Sequence, residues 1–145
     1  MFFKFIAFSM IARINTPAIT CRIMPIPPLN DTPPSTHAEI TVNSNLSVTC
    51  TNSTPYNVGL SAGTGTGSAG TTRYMSGTGA NTGTVQYNLL QTTGGPQWGN
   101  TQGTDTVGGT GTGSAQTLVV HGAIPAQATP APDSYKSTVT ATVYF

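Results

Sequence analysis

From Ile40 onward, apolar and polar residues alternate with period two. Ile40, Val42, Leu46, Val48 and Cys50 share one parity; Thr41, Asn43, Ser47 and Thr49 share the other. Alternation of this kind predicts a β-strand with one buried face. Tyr56, Val58 and Leu60 predict a second strand, after a turn signal from Asn52 to Pro55. Val85, Tyr87 and Leu89 predict a third. Leu118, Val120 and Ile124 predict a fourth, with Gly122 between them as a candidate bulge. Val139, Ala141, Val143 and Phe145 predict the last, opposite Thr138, Thr140, Thr142 and Tyr144. Nowhere do apolar residues recur at spacings of three and four over a helix-length window. Short strands separated by turn signals predict an all-β sandwich.

The segments between these strands are rich in Gly and Thr, at residues 62–72, 76–84 and 108–114, and read as loops. Residues 13–36 carry Pro17, Pro25, Pro27, Pro28, Pro33 and Pro34. Proline lacks the donor that a sheet ladder needs, so this stretch reads as loop or edge strand around Cys21. The last predicted strand runs to Phe145 with no polar tail. A sandwich of that form is expected to lack an edge partner. An unpaired edge with an apolar face invites a strand from another chain.

Composition narrows the function. A chain of 145 residues suits one domain. Charged residues make up only 6%, against about 25% in ordinary soluble domains. The net charge is +1, and no basic stripe exists to neutralise phosphates, which argues against a nucleic-acid partner. A weakly charged surface of Thr, Ser, Asn and Gln favours self-association. The 37% hydrophobic content, gathered in β-type runs, separates the chain from disordered sequences.

Residues 1–12, MFFKFIAFSMIA, join one lysine to a short apolar run. The run is too short to span a bilayer, so an integral membrane protein is not expected. It reads as a shortened export signal or an apolar N-terminal segment ahead of a domain at 13–145. If the chain is exported, Cys21 and Cys50 are expected to form a disulfide that closes a loop worth about 3.6 kcal/mol. In the cytosol they would be inert or redox-active thiols.

No catalytic set emerges. Gly65, Gly67 and Gly70 match G-x-G-x-x-G, but neither a helix nor an acidic residue follows where dinucleotide binding needs them. His37 and His121 stand far apart, and no group of metal ligands at short spacing accompanies them. Asp31, Glu39, Asp105 and Asp133 are the whole acidic inventory, with no local pair for glycoside hydrolysis. Asp133 sits in a turn sequence. Trp98 is expected to pack against the core. No enzyme activity, metal or cofactor is expected.

LSVTCTN at 46–52, TPYNVGL at 54–60, RYM at 73–75, VQYNL at 85–89, WGN at 98–100, GTD at 103–105 and GSAQTL at 113–118 follow one another in the chain. In this order they resemble the spore coat protein U domain, which also builds the pilins of archaic chaperone–usher pili. The ending IPAQ at 124–127, DSY at 133–135 and TVTATV at 138–143 is similar too. The resemblance covers residues 38–145. It implies an incomplete immunoglobulin-like β-sandwich with an open edge groove. A periplasmic chaperone would first fill the groove. The N-terminal extension of a neighbouring subunit would then replace the chaperone at an outer-membrane usher, giving a homo- or hetero-polymer. It also implies a disulfide between cysteines placed like Cys21 and Cys50. On this reading Val139, Ala141, Val143 and Phe145 form a wall of the acceptor groove. Met10, Ala12 and Ile14, which alternate before Cys21, form the candidate donor segment. The chain would pass through the periplasm to the cell surface and serve adhesion or biofilm formation. Two other readings stand beside it. One is a cell- or spore-surface coat protein without strand exchange. The other is a small carbohydrate-binding module with Trp98, Tyr74 and Tyr87 as stacking residues. At residues 22–36 the chain departs from the family, with prolines and neither Phe nor Gly where members carry a Phe-Gly turn.

Overall fold

The alternating run at Ile40–Thr49 forms a ten-residue strand that organises the molecule. The structure is a computed structural model and describes residues 22–25, 39–128, 130–131 and 133–145. Nine strands are present among them: β1 Arg22–Pro25, β2 Ile40–Thr49, β3 Pro55–Leu60, β4 Arg73–Gly77, β5 Thr84–Leu90, β6 Val107–Thr110, β7 Ala115–Ile124, β8 Tyr135–Lys136 and β9 Ala141–Tyr144. Every pairing is antiparallel. One sheet has six strands in the order β1-β2-β7-β5-β4-β8; the other has three, in the order β6-β3-β9. No helix forms among the described residues.

The two sheets enclose one core. Leu46 and Val48 from β2, Tyr87 and Leu89 from β5 and Val120 from β7 meet Tyr56, Val58 and Leu60 from β3 and Ala141 from β9. The β2–β7 ladder runs unbroken from Ile40↔Ile124 to Thr49↔Ala115. Gly122 is therefore no bulge. It faces Val42, whose Cγ2 would lie 2.9 Å from a Cβ at that position. The parity of β2 is buried only in its second half: Leu46, Val48 and Cys50 are covered, whereas Val42 is 51% exposed.

Arg73 joins the two sheets where β3 ends. It is completely buried. Its guanidinium donates from Nε to Ser61 O at 2.9 Å and from Nη2 to Leu60 O at 2.8 Å, and also to Trp98 O. The planar fork reaches these carbonyls from separate, fixed nitrogens, which a lysine's single ammonium does not provide. Burial pulls the guanidinium's pKa below its ordinary value, and the nearby Tyr87 and Asp105 oppose that shift. Trp98 completes the tie, its indole N–H donating to Val58 O at 2.7 Å.

Three strands fall where no apolar alternation predicted them. In β4 the buried residue is Arg73, so the hydrophobic signal is missing. β6 lies inside a Gly-Thr tract that reads as a loop. Its glycines are needed because a Cβ on Gly109 would come within 2.5 Å of the Tyr56 hydroxyl. β8 is two residues long. β1 is the edge strand that the proline-rich stretch allowed, with Pro25 at its last position.

Replacing Arg73 with alanine would strand the carbonyls of Leu60, Trp98 and Ser61, the first two in buried bonds, and is expected to cost about 4 kcal/mol or more. Arg73→Lys should lie between. Urea denaturation measures both, and a loss below about 1 kcal/mol in Arg73→Ala would rule out the tie as a main support.

Candidate functional site

The candidate site is the edge of β9. One side of this strand pairs with β3, as Leu60↔Ala141, Gly59↔Thr142, Val58↔Val143 and Asn57↔Tyr144. No strand pairs with its other side among the described residues. The main-chain bonds show which groups are left open. Leu60 N–H donates to Gly99 O, and Leu60 O accepts from Arg73. Val58 O accepts from Trp98. Leu60 and Val58 thus turn away from β9, so Gly59 and Asn57 are the residues that exchange bonds with Thr142 and Tyr144. The N–H and C=O groups of Ala141 and Val143 consequently point at the open side.

Exposure grades along the inward parity of this strand. Val139, just before β9, and Ala141 are fully buried. Val143 is half-buried against the core, and Phe145 is 39% exposed. The first two are core residues in the isolated chain; Val143 and Phe145 form the apolar surface that remains open. Leu118 and Ile124, on the inward parity of β7, are likewise only partly buried.

The other sequence candidates scatter. Cys50 is buried after β2. Cys21, Met10, Ala12, Ile14, His37 and Asp31 lie outside the described residues. Trp98 and Tyr87 are 1% and 3% exposed, so neither can stack on a sugar, and Tyr74 is half-buried on β4. Burial and the Arg73 tie claim the aromatic residues that a carbohydrate module would have used. Asp105 holds the turn beyond Trp98, accepting from Thr101 N–H at 2.6 Å. Asp133 accepts from Gly79 N–H at 3.1 Å and Ser134 N–H at 2.7 Å, the turn-forming role its sequence context suggests. The G-x-G-x-x-G match is a loop, in which Gly65 lets the chain pass against the main chain of Tyr74. No group of three metal-ligating side chains occurs among the described residues.

Sequence reasoning missed Arg73. A usable signal existed: in a chain with so few charges, an arginine at the start of Arg73–Tyr74–Met75 is unusual. It missed the exposure of Val42 because parity assigns a face but cannot say how much of that face is covered.

Among the described residues, this two-sheet antiparallel sandwich is similar to a chaperone–usher pilin fold. The chain belongs to the Spore Coat Protein U domain family, whose model matches residues 10–142. Among solved structures it is similar to a chain in the chaperone–tip adhesion subunit pre-assembly complex CsuC–CsuE from the archaic chaperone–usher Csu pili of Acinetobacter baumannii. That match has a TM-score of 0.58 and 22% identity, and covers 88% of this chain and 40% of the other. No curated protein matches the chain.

The exposure gradient predicts opposite outcomes for two substitutions on one parity. Ala141→Asp places an unpaired charge in the core and should cost about 3 kcal/mol or more. Phe145→Ser should change stability by less than about 1 kcal/mol. Thermal unfolding of both variants checks this, and equal losses would contradict the gradient.

Proposed function

We propose that this protein is a structural or adhesive subunit of a bacterial surface pilus, assembled by donor-strand complementation through a periplasmic chaperone and an outer-membrane usher. The unpaired edge of β9 carries the reading. It offers the main-chain groups of Ala141 and Val143 beside the apolar side chains of Val143 and Phe145. A strand laid there gains main-chain bonds and buries alternate side chains at once. Membership of the Spore Coat Protein U family and the likeness to a chain of a pilus pre-assembly complex support it.

In this reading Met10, Ala12 and Ile14 are the donor residues for a neighbouring subunit, and Val139, Ala141, Val143 and Phe145 form one acceptor wall. Val139 and Ala141 back the wall from inside the core. The protein is exported to the periplasm and then to the cell surface, where Cys21 and Cys50 form a disulfide. The β1–β2 register supports that bond. Arg22, which follows Cys21 in the sequence, faces Thr49, which precedes Cys50. The weakly charged exterior has no catalytic task in this role.

The test is to add a peptide of residues 6–18 to the purified chain and follow thermal unfolding. The melting temperature should rise by several degrees, and a peptide with Met10, Ala12 and Ile14 replaced by Asp should have no effect. If neither the peptide nor a co-expressed periplasmic pilus chaperone stabilises the chain, the strand-acceptor role fails. Thiol titration of denatured periplasmic protein should find no free thiol; two would remove the disulfide from the account.

A further inference from the structure

A shallow cleft lies on the outer face of the six-stranded sheet, away from the β9 edge. Asn43 of β2 and His121 of β7 are direct cross-strand partners on its floor. Thr93, on the turn after β5, and Glu39, just before β2, stand at its sides, and Leu90 adds an apolar patch. Its volume is about 100 Å³, the space of about three water molecules.

The hydrogen bonds already made decide what the cleft can still bind. His121 Nδ1 lies 2.9 Å from Asn43 Oδ1 and 3.2 Å from Thr93 Oγ1. A carboxamide oxygen carries no hydrogen, so the proton in the shorter contact belongs to Nδ1. Nε2 makes no hydrogen bond among the described residues, and with the proton on Nδ1 it is the ring's acceptor. Thr93 is free to turn its hydroxyl hydrogen into the cleft, and Asn43 keeps its NH₂ as a donor. Glu39 supplies an exposed carboxylate acceptor. Donors and acceptors thus both line a space of about three hydroxyl groups. A hydroxyl both donates and accepts, so neighbouring hydroxyls match this arrangement better than a phosphate, which only accepts, or an ammonium, which only donates.

We infer that this cleft binds the hydroxyl-bearing edge of a neutral sugar, with His121, Asn43 and Thr93 as its recognition residues. The ring of the sugar stays outside and rests on Leu90, since the space admits only its hydroxyls. Few contacts mean weak binding at a single cleft. Repetition along a fibre would multiply it through effective concentration. Only this gain depends on the proposed assembly; the binding belongs to the single chain.

The test is a ¹H–¹⁵N and imidazole NMR titration of the full chain with glucose, galactose, mannose and N-acetylglucosamine, each to roughly 100 mM, where even millimolar affinity saturates. At least one sugar should shift the Asn43, Thr93 and His121 signals saturably. His121→Ala should weaken that response at least tenfold and Thr93→Val severalfold. Thr117→Val, on the same sheet face outside the cleft, should leave it unchanged. Melting curves confirm that each variant is folded. No saturable shift from any of the four sugars, an undiminished response in both cleft variants, or a response to zinc chloride alone would overturn the inference.

Discussion

Three strands cannot cover six. The β6-β3-β9 sheet covers the middle of the larger sheet and creates one dry core there. Where the cover stops, inward-facing apolar residues meet water. Val42 on one sheet and Phe145 on the other are the most exposed of these. Among the described residues, the mismatch in strand number therefore sets the extent of the core and the place of the open edge. A free edge that bears both unpaired main-chain groups and an apolar face is a hazard for a soluble protein. In the proposed pilus subunit the same edge would be the means of assembly.

A partly covered sandwich needs a firm join where its sheets do meet. Arg73 and Trp98 provide it at one end, fastening Val58, Leu60 and Ser61 to the start of β4 and to the loop before β6. The same bonds orient β3. Because Leu60 and Val58 spend their carbonyls on Arg73 and Trp98, they turn away from β9. That choice determines that Ala141 and Val143 present their main-chain groups to the open side. The internal tie and the external edge are two consequences of one strand alternation.

The strands with apolar alternation were legible in the sequence: β2, β3, β5, β7 and β9 each lie where period two places them. The others were hidden for identifiable reasons. β4 buries a cation at the position where the pattern expects a hydrophobic residue. β6 buries glycine against the Tyr56 ring, and glycine looks the same in a loop. β8 is too short to show a period. For the site, the sequence indicated the β9 parity but not its gradient. Whether Val139 or Phe145 is covered depends on which strands lie opposite, and a local pattern holds no such information. The cleft at His121 was illegible because Asn43, Thr93 and His121 are brought together by the β2–β7–β5 register.

Among the described residues β9 has one satisfied and one open edge. Amide hydrogen exchange across β9 tests it most directly. In the isolated chain, Thr142 and Tyr144 should be protected by their bonds to β3, while Ala141 and Val143 should exchange rapidly. In complex with a strand-donating partner, Ala141 and Val143 should become as slow as their neighbours. Slow exchange at Ala141 and Val143 in the isolated chain, or no change on complex formation, would contradict the account.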